Sequence, residues 1–128
     1  MSRTLWVWGP AVLLMAGIFW LSGQPDLPAR PGGISDVSAH AIVYAGLVVL
    51  MLRALSNGRW SGATPRSVAS AIALTVLFGV SDEYHQSFVA GRFSEIRDVI
   101  ANAVGACSGA AAVWAWGIVF SSDQTPQR

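Results

Sequence analysis

Four stretches of the chain are apolar over lengths that matter to a membrane, and polar or breaker-rich stretches separate them. Leu5–Leu21 holds no charge and carries Trp6, Trp8 and Trp20 near its ends, where indole rings anchor a span at the membrane–water boundary. Ala39–Leu52 is apolar but short, and reaches spanning length only if Asp36 and His40 begin it. Val68–Val80 is shorter still. It reaches full length only by running from about Ser67 to Gln86, which draws Asp82 and Glu83 into the helix. Ile100–Phe120 is the clearest span, interrupted by Asn102, with Trp114 and Trp116 near its far end. About 20 apolar residues carry a helix across the hydrocarbon, and lipid admits only helices and closed barrels. The pattern predicts an all-α polytopic membrane protein, a compact bundle of four transmembrane helices at about 5–22, 36–55, 67–86 and 98–120.

The breakers agree. Gln24–Ser35 holds Pro25, Pro28, Pro31 and the Gly32–Gly33 pair, and cannot propagate a helix. Asn57–Pro65 reads as a loop, and Val89–Arg97 is polar with Gly91 inside it. Without a repeat or a linker, residues 1–128 form a single domain. Arg3 ahead of an apolar run, with small residues at Ser22–Gly23, also has the outline of a secretory signal. A run of 17 residues from Leu5 to Leu21 with Trp at both ends favours a retained helix.

Composition supports the membrane reading. The chain is 53% apolar and 12% charged, about half the usual supply of charge for a soluble domain. A small domain has a large surface to clothe with polar groups, so an ordinary soluble enzyme is excluded. A net charge of +1 leaves no footprint for nucleic acid. The single cysteine, Cys107, excludes a disulfide scaffold and is expected as a buried, inert residue. Arginines set the orientation: Arg53, Arg59 and Arg66 lie between spans two and three, on the side of Arg3 and Arg128. Arg30, Arg92 and Arg97 lie opposite, diluted by Asp26 and Glu95. Both termini are expected in the cytoplasm.

That topology sorts the polar residues by depth. Asp36 and His40 start helix two, Asp82, Glu83 and Gln86 end helix three, and Asp98 and Asn102 start helix four, all at the outer face. Asp36, His40 and Tyr44 follow i, i+4, i+8 and share a stripe. At about 100° per residue, Gly79, Asp82 and Gln86 share an arc with Glu83 beside it, while His85 falls off the far side. Asp98, Asn102, Gly105 and Gly109 form one stripe whose glycines permit close helix approach. Ionisable groups in a membrane are normally inward and paired. Two adjacent carboxylates repel unless a cation or proton joins them, so Arg92 is expected to fold back over Asp82 and Glu83. Plainer roles exist: Asp36 and Asp98 as first-turn acids facing helix dipoles, His40 as an ordinary polar contact, Gln86 and Asn102 as interhelical bonds.

The run Asp82-Glu83-Tyr84-His85-Gln86-Ser87-Phe88-Val89-Ala90-Gly91-Arg92, followed by Asp98, Asn102 and Gly105, closely resembles the VanZ-like family. Ser35-Asp36 with His40 and Tyr44 resembles the family's entry to the second helix. Val37 stands where the family usually has Lys, Ala41 where Phe is common and Ala90 where Pro is frequent. The missing lysine amine removes one cation from the site. The resemblance implies a multi-pass protein of the bacterial cell (inner) membrane and an association with low-level teicoplanin resistance, without supplying a mechanism.

Three functions fit the residues. An enzyme acting on an envelope lipid or lipid-linked precursor would use Asp82 or Glu83 as base, with His40 and Asp98 as catalytic partners. Arg92, Gln86, Asn102, Asp36 and Tyr44 would bind its substrate, the arginine holding a phosphate bidentately. Asp36, Asp82, Glu83 and Asp98 also offer oxygen ligands to a divalent cation, with His40 admitting a transition metal. No Ser or Cys stands in a recognisable nucleophile arrangement, which favours activated water. The second function is a non-catalytic glycopeptide- or lipid-binding module. The third, a proton-coupled exporter, is weaker because nothing ionisable continues toward the cytoplasm. A homodimer through the Gly105/Gly109 face is a further option.

Overall fold

A computed structural model describes residues 1–27 and 31–121. It consists of four helices: α1 (Arg3–Ser22), α2 (Asp36–Leu55), α3 (Pro65–Gln86) and α4 (Ile96–Ser121), with short 3₁₀ turns at Pro31–Gly33 and Trp60–Gly62. No strand occurs among the described residues. The helices agree with the predicted spans to within two residues; the side chains of the final turn of the last are not described. Arg30 and Arg128, two of the orienting charges, lie outside the described residues.

Local chemistry sets the helix starts. Ser35 caps α2, its hydroxyl accepting from the Ser38 amide. Thr64 and Ser67 form a reciprocal capping box ahead of α3, and Pro65 occupies its first turn, where a missing N–H costs nothing. Three helices, α1, α2 and Ile96–Ile118 of α4, are long and apolar enough to cross a membrane. At 22 residues α3 is long enough but too polar over its length, because its last turns carry Asp82, Glu83, His85 and Gln86. Its outward face is nonetheless apolar: Leu74, Leu77 and Val80 are exposed.

The centre of the bundle is α2. Val48, Met51 and Leu52 of α2 pack with Val68 and Ala71 of α3 and with Ala106 and Ala110 of α4. The most extensive pairing is α2 against α4. A Cβ on Gly105 would overlap the Ala41 carbonyl, and one on Gly109 would lie 2.6 Å from the Ala45 carbonyl oxygen. The glycine stripe therefore faces protein, as its spacing predicts, but the partner is α2 of the same chain, so it offers no face to a second copy. Cys107 points outward and is exposed, contrary to the buried role expected of it. It lies two residues from the seam, about 200° round the helix from Gly105.

At the opposite end from the acidic residues, Arg53 joins α2 to α1. Its Nη1 donates to the carbonyls of Trp6 and Val7, both at 3.1 Å, and its guanidinium lies 5.3 Å from the Trp6 ring centroid. The carbonyl of Trp6 is the one that Pro10, lacking an N–H, leaves without its helical donor. Unsatisfied carbonyls are costly in lipid, so the arginine mends the proline's gap.

Two outcomes follow for stability in detergent. Gly105→Ala should cost about 3 kcal/mol or more, because the obstacle is backbone, while Gly17→Ala, with open space around it, should be neutral. Arg53→Ala should cost about 1–2 kcal/mol. That loss should shrink in a Pro10→Ala background, where a new N–H serves the Trp6 carbonyl; melting curves of the double-mutant cycle check it.

Candidate functional site

The polar ends of α2, α3 and α4 meet, and the end of α1 joins them. Asp82, Glu83, Gln86, Asp98 and Asn102 are all buried, and His40 is half-buried. Neighbours in sequence, Asp82 and Glu83 differ by about 100° around the helix and serve different surroundings.

Asp82 turns toward α1. Its Oδ1 accepts from the Ser22 hydroxyl at 2.6 Å. The Ser22 hydroxyl also lies 3.0 Å from the Phe19 carbonyl and 3.3 Å from His85 Nδ1. A hydroxyl has one proton, and the short contact with a carboxylate claims it. His85 Nδ1 can then reach Ser22 only as a donor, so it cannot act as a base toward that serine. Serine, histidine and aspartate are together here, but wired as a clamp on Asp82 rather than as an activated nucleophile. The His85 ring stacks on Phe19, with centroids 3.9 Å apart and planes 13° apart. The sequence reading placed His85 off the site's far side; that side is covered by the last turn of α1.

Glu83 turns toward α2 and α4. Its Oε1 lies 3.7 Å from His40 Nδ1, and its Oε2 accepts from the Ser94 hydroxyl at 3.3 Å. His40 Nδ1 is 2.9 Å from Asn102 Oδ1. An amide oxygen only accepts, so in this orientation Nδ1 carries the proton. Single donor atoms of His40, Glu83 and Asp98 lie within 4.8 Å of one another. Among the described residues, Glu83 Oε1, Asp98 Oδ1, Asn102 Nδ2 and the Tyr44 hydroxyl are buried without a hydrogen-bond partner. Gly79 makes room for this packing: a Cβ there would lie 2.9 Å from the Tyr44 ring and 3.1 Å from Asn102 Nδ2.

Arg92 folds back, as predicted, but onto a different partner. Gly91, at φ 78°, turns the chain, and the Gln86 amide oxygen accepts from Arg92 Nε at 2.8 Å and Nη2 at 2.7 Å. The reason is reach and orientation: Gln86 is the last residue of α3, one turn nearer the loop than Asp82 and Glu83. Arg97, in the first turn of α4, pairs with Glu95 just ahead of that helix. Asp36 is exposed in the first turn of α2 and stands outside the buried group.

A cavity of about 210 Å³ opens beside Asp82. Ile18, Leu21, Leu27 and Val43 give it apolar lining, and His40, Asp82, Gln86 and Arg92 give it polar groups. Of the site residues, Ser22, His85 and Ser94 escape sequence reasoning. Ser22 carried a faint signal as the last residue of an uncharged span, level with the outer ends of the other helices.

An all-helical membrane protein with a buried acidic group at one end of its bundle is the class these features define. Residues 36–120 match the family profile VanZ/LLP1, and the chain belongs to that VanZ family. No curated protein matches it, and no solved structure does. The matched stretch covers the buried acids Asp82, Glu83 and Asp98 and begins after α1.

Removing the Ser22 hydroxyl tests the clamp. Ser22→Ala leaves a buried carboxylate oxygen short of a donor and should cost about 1–3 kcal/mol. Ser81→Ala should cost little, since that hydroxyl is exposed and bonds only its own helix. Thermal unfolding of the two variants side by side checks the difference.

Proposed function

We propose that this is a multi-pass protein of the bacterial cell membrane, with both termini cytoplasmic and the buried acidic end facing outward. Its chamber receives the polar head of an envelope lipid or lipid-linked precursor. The observation that carries the reading is the mixed lining of the cavity. Apolar side chains of α1, α2 and the loop between them line it together with four polar ones, His40, Asp82, Gln86 and Arg92. Such a lining suits an amphiphile entering from the lipid, with its head at the polar groups and its chain along the apolar ones. About 210 Å³ holds a head group and not a whole lipid. Gln86 orients the Arg92 guanidinium by two of its N–H groups, which leaves others to meet a phosphate.

In this reading α3 crosses the membrane with the other helices, its polar last turns facing protein and its Leu74–Leu77–Val80 face meeting lipid. Arg53, Arg59 and Arg66 then sit on the cytoplasmic side. A role in glycopeptide resistance, which the family resemblance implies, belongs to the same ligand class. The cavity equally suits a non-catalytic binder. A proton-coupled exporter is disfavoured: beneath the acids the packed centre is Leu47, Val48, Leu52, Ala71 and Ala110, with the Thr75 hydroxyl among them and no ionisable side chain buried there among the described residues.

Profiling of lipids and envelope precursors in a deletion strain tests the proposal. Complementation with Asp82→Asn, Glu83→Gln or Asp98→Asn should fail to restore the wild-type profile, while Asp26→Asn, in the exposed loop, should restore it. Full restoration by all three acid variants would overturn the site. An enzyme would still bind its lipid with Asp82→Asn but lose turnover; a pure binder would lose function only in step with affinity.

A further inference from the structure

The charge at the meeting point of α2, α3 and α4 is unbalanced among the described residues. Arg92 is held by Gln86 and Arg97 by Glu95, and neither guanidinium forms an ion pair with Glu83 or Asp98 among the described residues. Glu83 and Asp98 are 2% and 6% exposed, and each keeps one carboxylate oxygen without a hydrogen-bond partner among the described residues. The nearest group able to carry positive charge is His40, 3.7 Å from Glu83 Oε1. Buried carboxylates in so apolar a bundle need a cation or a proton.

We propose that His40, Glu83 and Asp98 bind a divalent first-row metal ion of the manganese, iron or zinc kind, with Asn102 as a fourth donor. The proposal stands on this geometry and is independent of what occupies the neighbouring cavity. Metal bonds of about 2.0–2.2 Å place adjoining donors roughly 3–4 Å apart. His40 Nδ1 lies 2.9 Å from Asn102 Oδ1 and 3.7 Å from Glu83 Oε1, and the three principal donors fall within 4.8 Å. Closing them around an ion is a matter of side-chain adjustment on three helices whose spacing the glycines already set. On binding, Nδ1 gives up its proton while Nε2 carries one, so the ligand is a neutral imidazole, and the Asn102 oxygen exchanges its hydrogen bond for the metal. One imidazole with two carboxylates and an amide suits manganese, iron or zinc better than an all-oxygen calcium site. Four protein donors leave an open position on a five- or six-coordinate ion, where such a metal holds phosphate oxygen or activates water. His40 lines the cavity as well, so it links the two compartments.

The test uses the full chain purified in detergent. It is dialysed against manganese, iron(II), zinc, magnesium or calcium, with retained metal read by mass spectrometry and stability by melting temperature. One transition-metal ion per chain is expected, with a melting temperature that falls on chelation and recovers on readdition. Glu83→Gln and Asp98→Asn should each weaken binding at least about 100-fold and Asn102→Ala about 10-fold, with Asp26→Asn unchanged. Should a variant fail to fold, wild-type protein loaded with cobalt(II) decides, since ligation by imidazole and carboxylate gives visible absorption bands that free cobalt lacks. The proposal is overturned by no retained ion and a melting temperature indifferent to chelator. Retention of magnesium or calcium alone overturns it too, as do absent cobalt bands or equal loss in Asp26→Asn.

Discussion

The contact of α2 with α4 along Gly105 and Gly109 sets the rest of the structure. Those glycines press on the backbone at Ala41 and Ala45, and a methyl group at either would force the helices apart. One turn further along the same stripe, the seam becomes chemistry: Asn102 stands opposite His40 at 2.9 Å, and Asp98 follows. The register that packs small residues below therefore fixes which polar residues meet above. In lipid, helix association gains little from the hydrophobic effect and depends on close packing and interhelical bonds. Both are present on this one stripe, the first at its glycines and the second at its asparagine.

The departures from the family pattern bear on the same seam. Ala41, where Phe is common, is the residue whose carbonyl Gly105 approaches. Val37, where Lys is usual, is exposed at the start of α2, so the amine it replaces would extend from the first turn rather than from the buried layer. The absence of that amine leaves His40 as the basic side chain nearest the Glu83 carboxylate among the described residues. Compensation for buried negative charge thus has to come from a proton or a bound cation.

Periodicity made the helices and the convergence of their acids legible, because apolar runs and breakers act locally and spacing alone puts Asp98, Asn102 and Gly105 on one stripe. What escaped it was which neighbour each group would choose. Arg92 met Gln86 instead of the carboxylates, since the amide at the end of α3 stands one turn nearer the loop than the acids do. Ser22 and His85 were missed for a related reason: nothing local to residues 19–22 says that the end of α1 packs against the last turns of α3. The same helix shows a second non-local repair in Arg53, whose place in the sequence announces orientation but not its bond to the carbonyl that Pro10 leaves free. Cys107 was misplaced because a small residue in an apolar run fits the lipid-facing side of a helix as readily as its core.

The splitting of Asp82 from Glu83 is the step that turns a cluster into a site. Had both faced one pocket, their repulsion would have left them sharing a proton or drawing in Arg92. Helical rotation instead sends Asp82 to the serine of α1 and the edge of the cavity, and Glu83 to the imidazole of α2 and the asparagine layer of α4. The two carboxylates then have different partners, different exposure to a ligand and different reasons to be ionised. Asp82 can meet what enters the cavity, while Glu83 and Asp98 hold a charge behind it. His40 and Tyr44 line the cavity and also stand at the buried layer, so these two rings lie between a ligand and the buried charge.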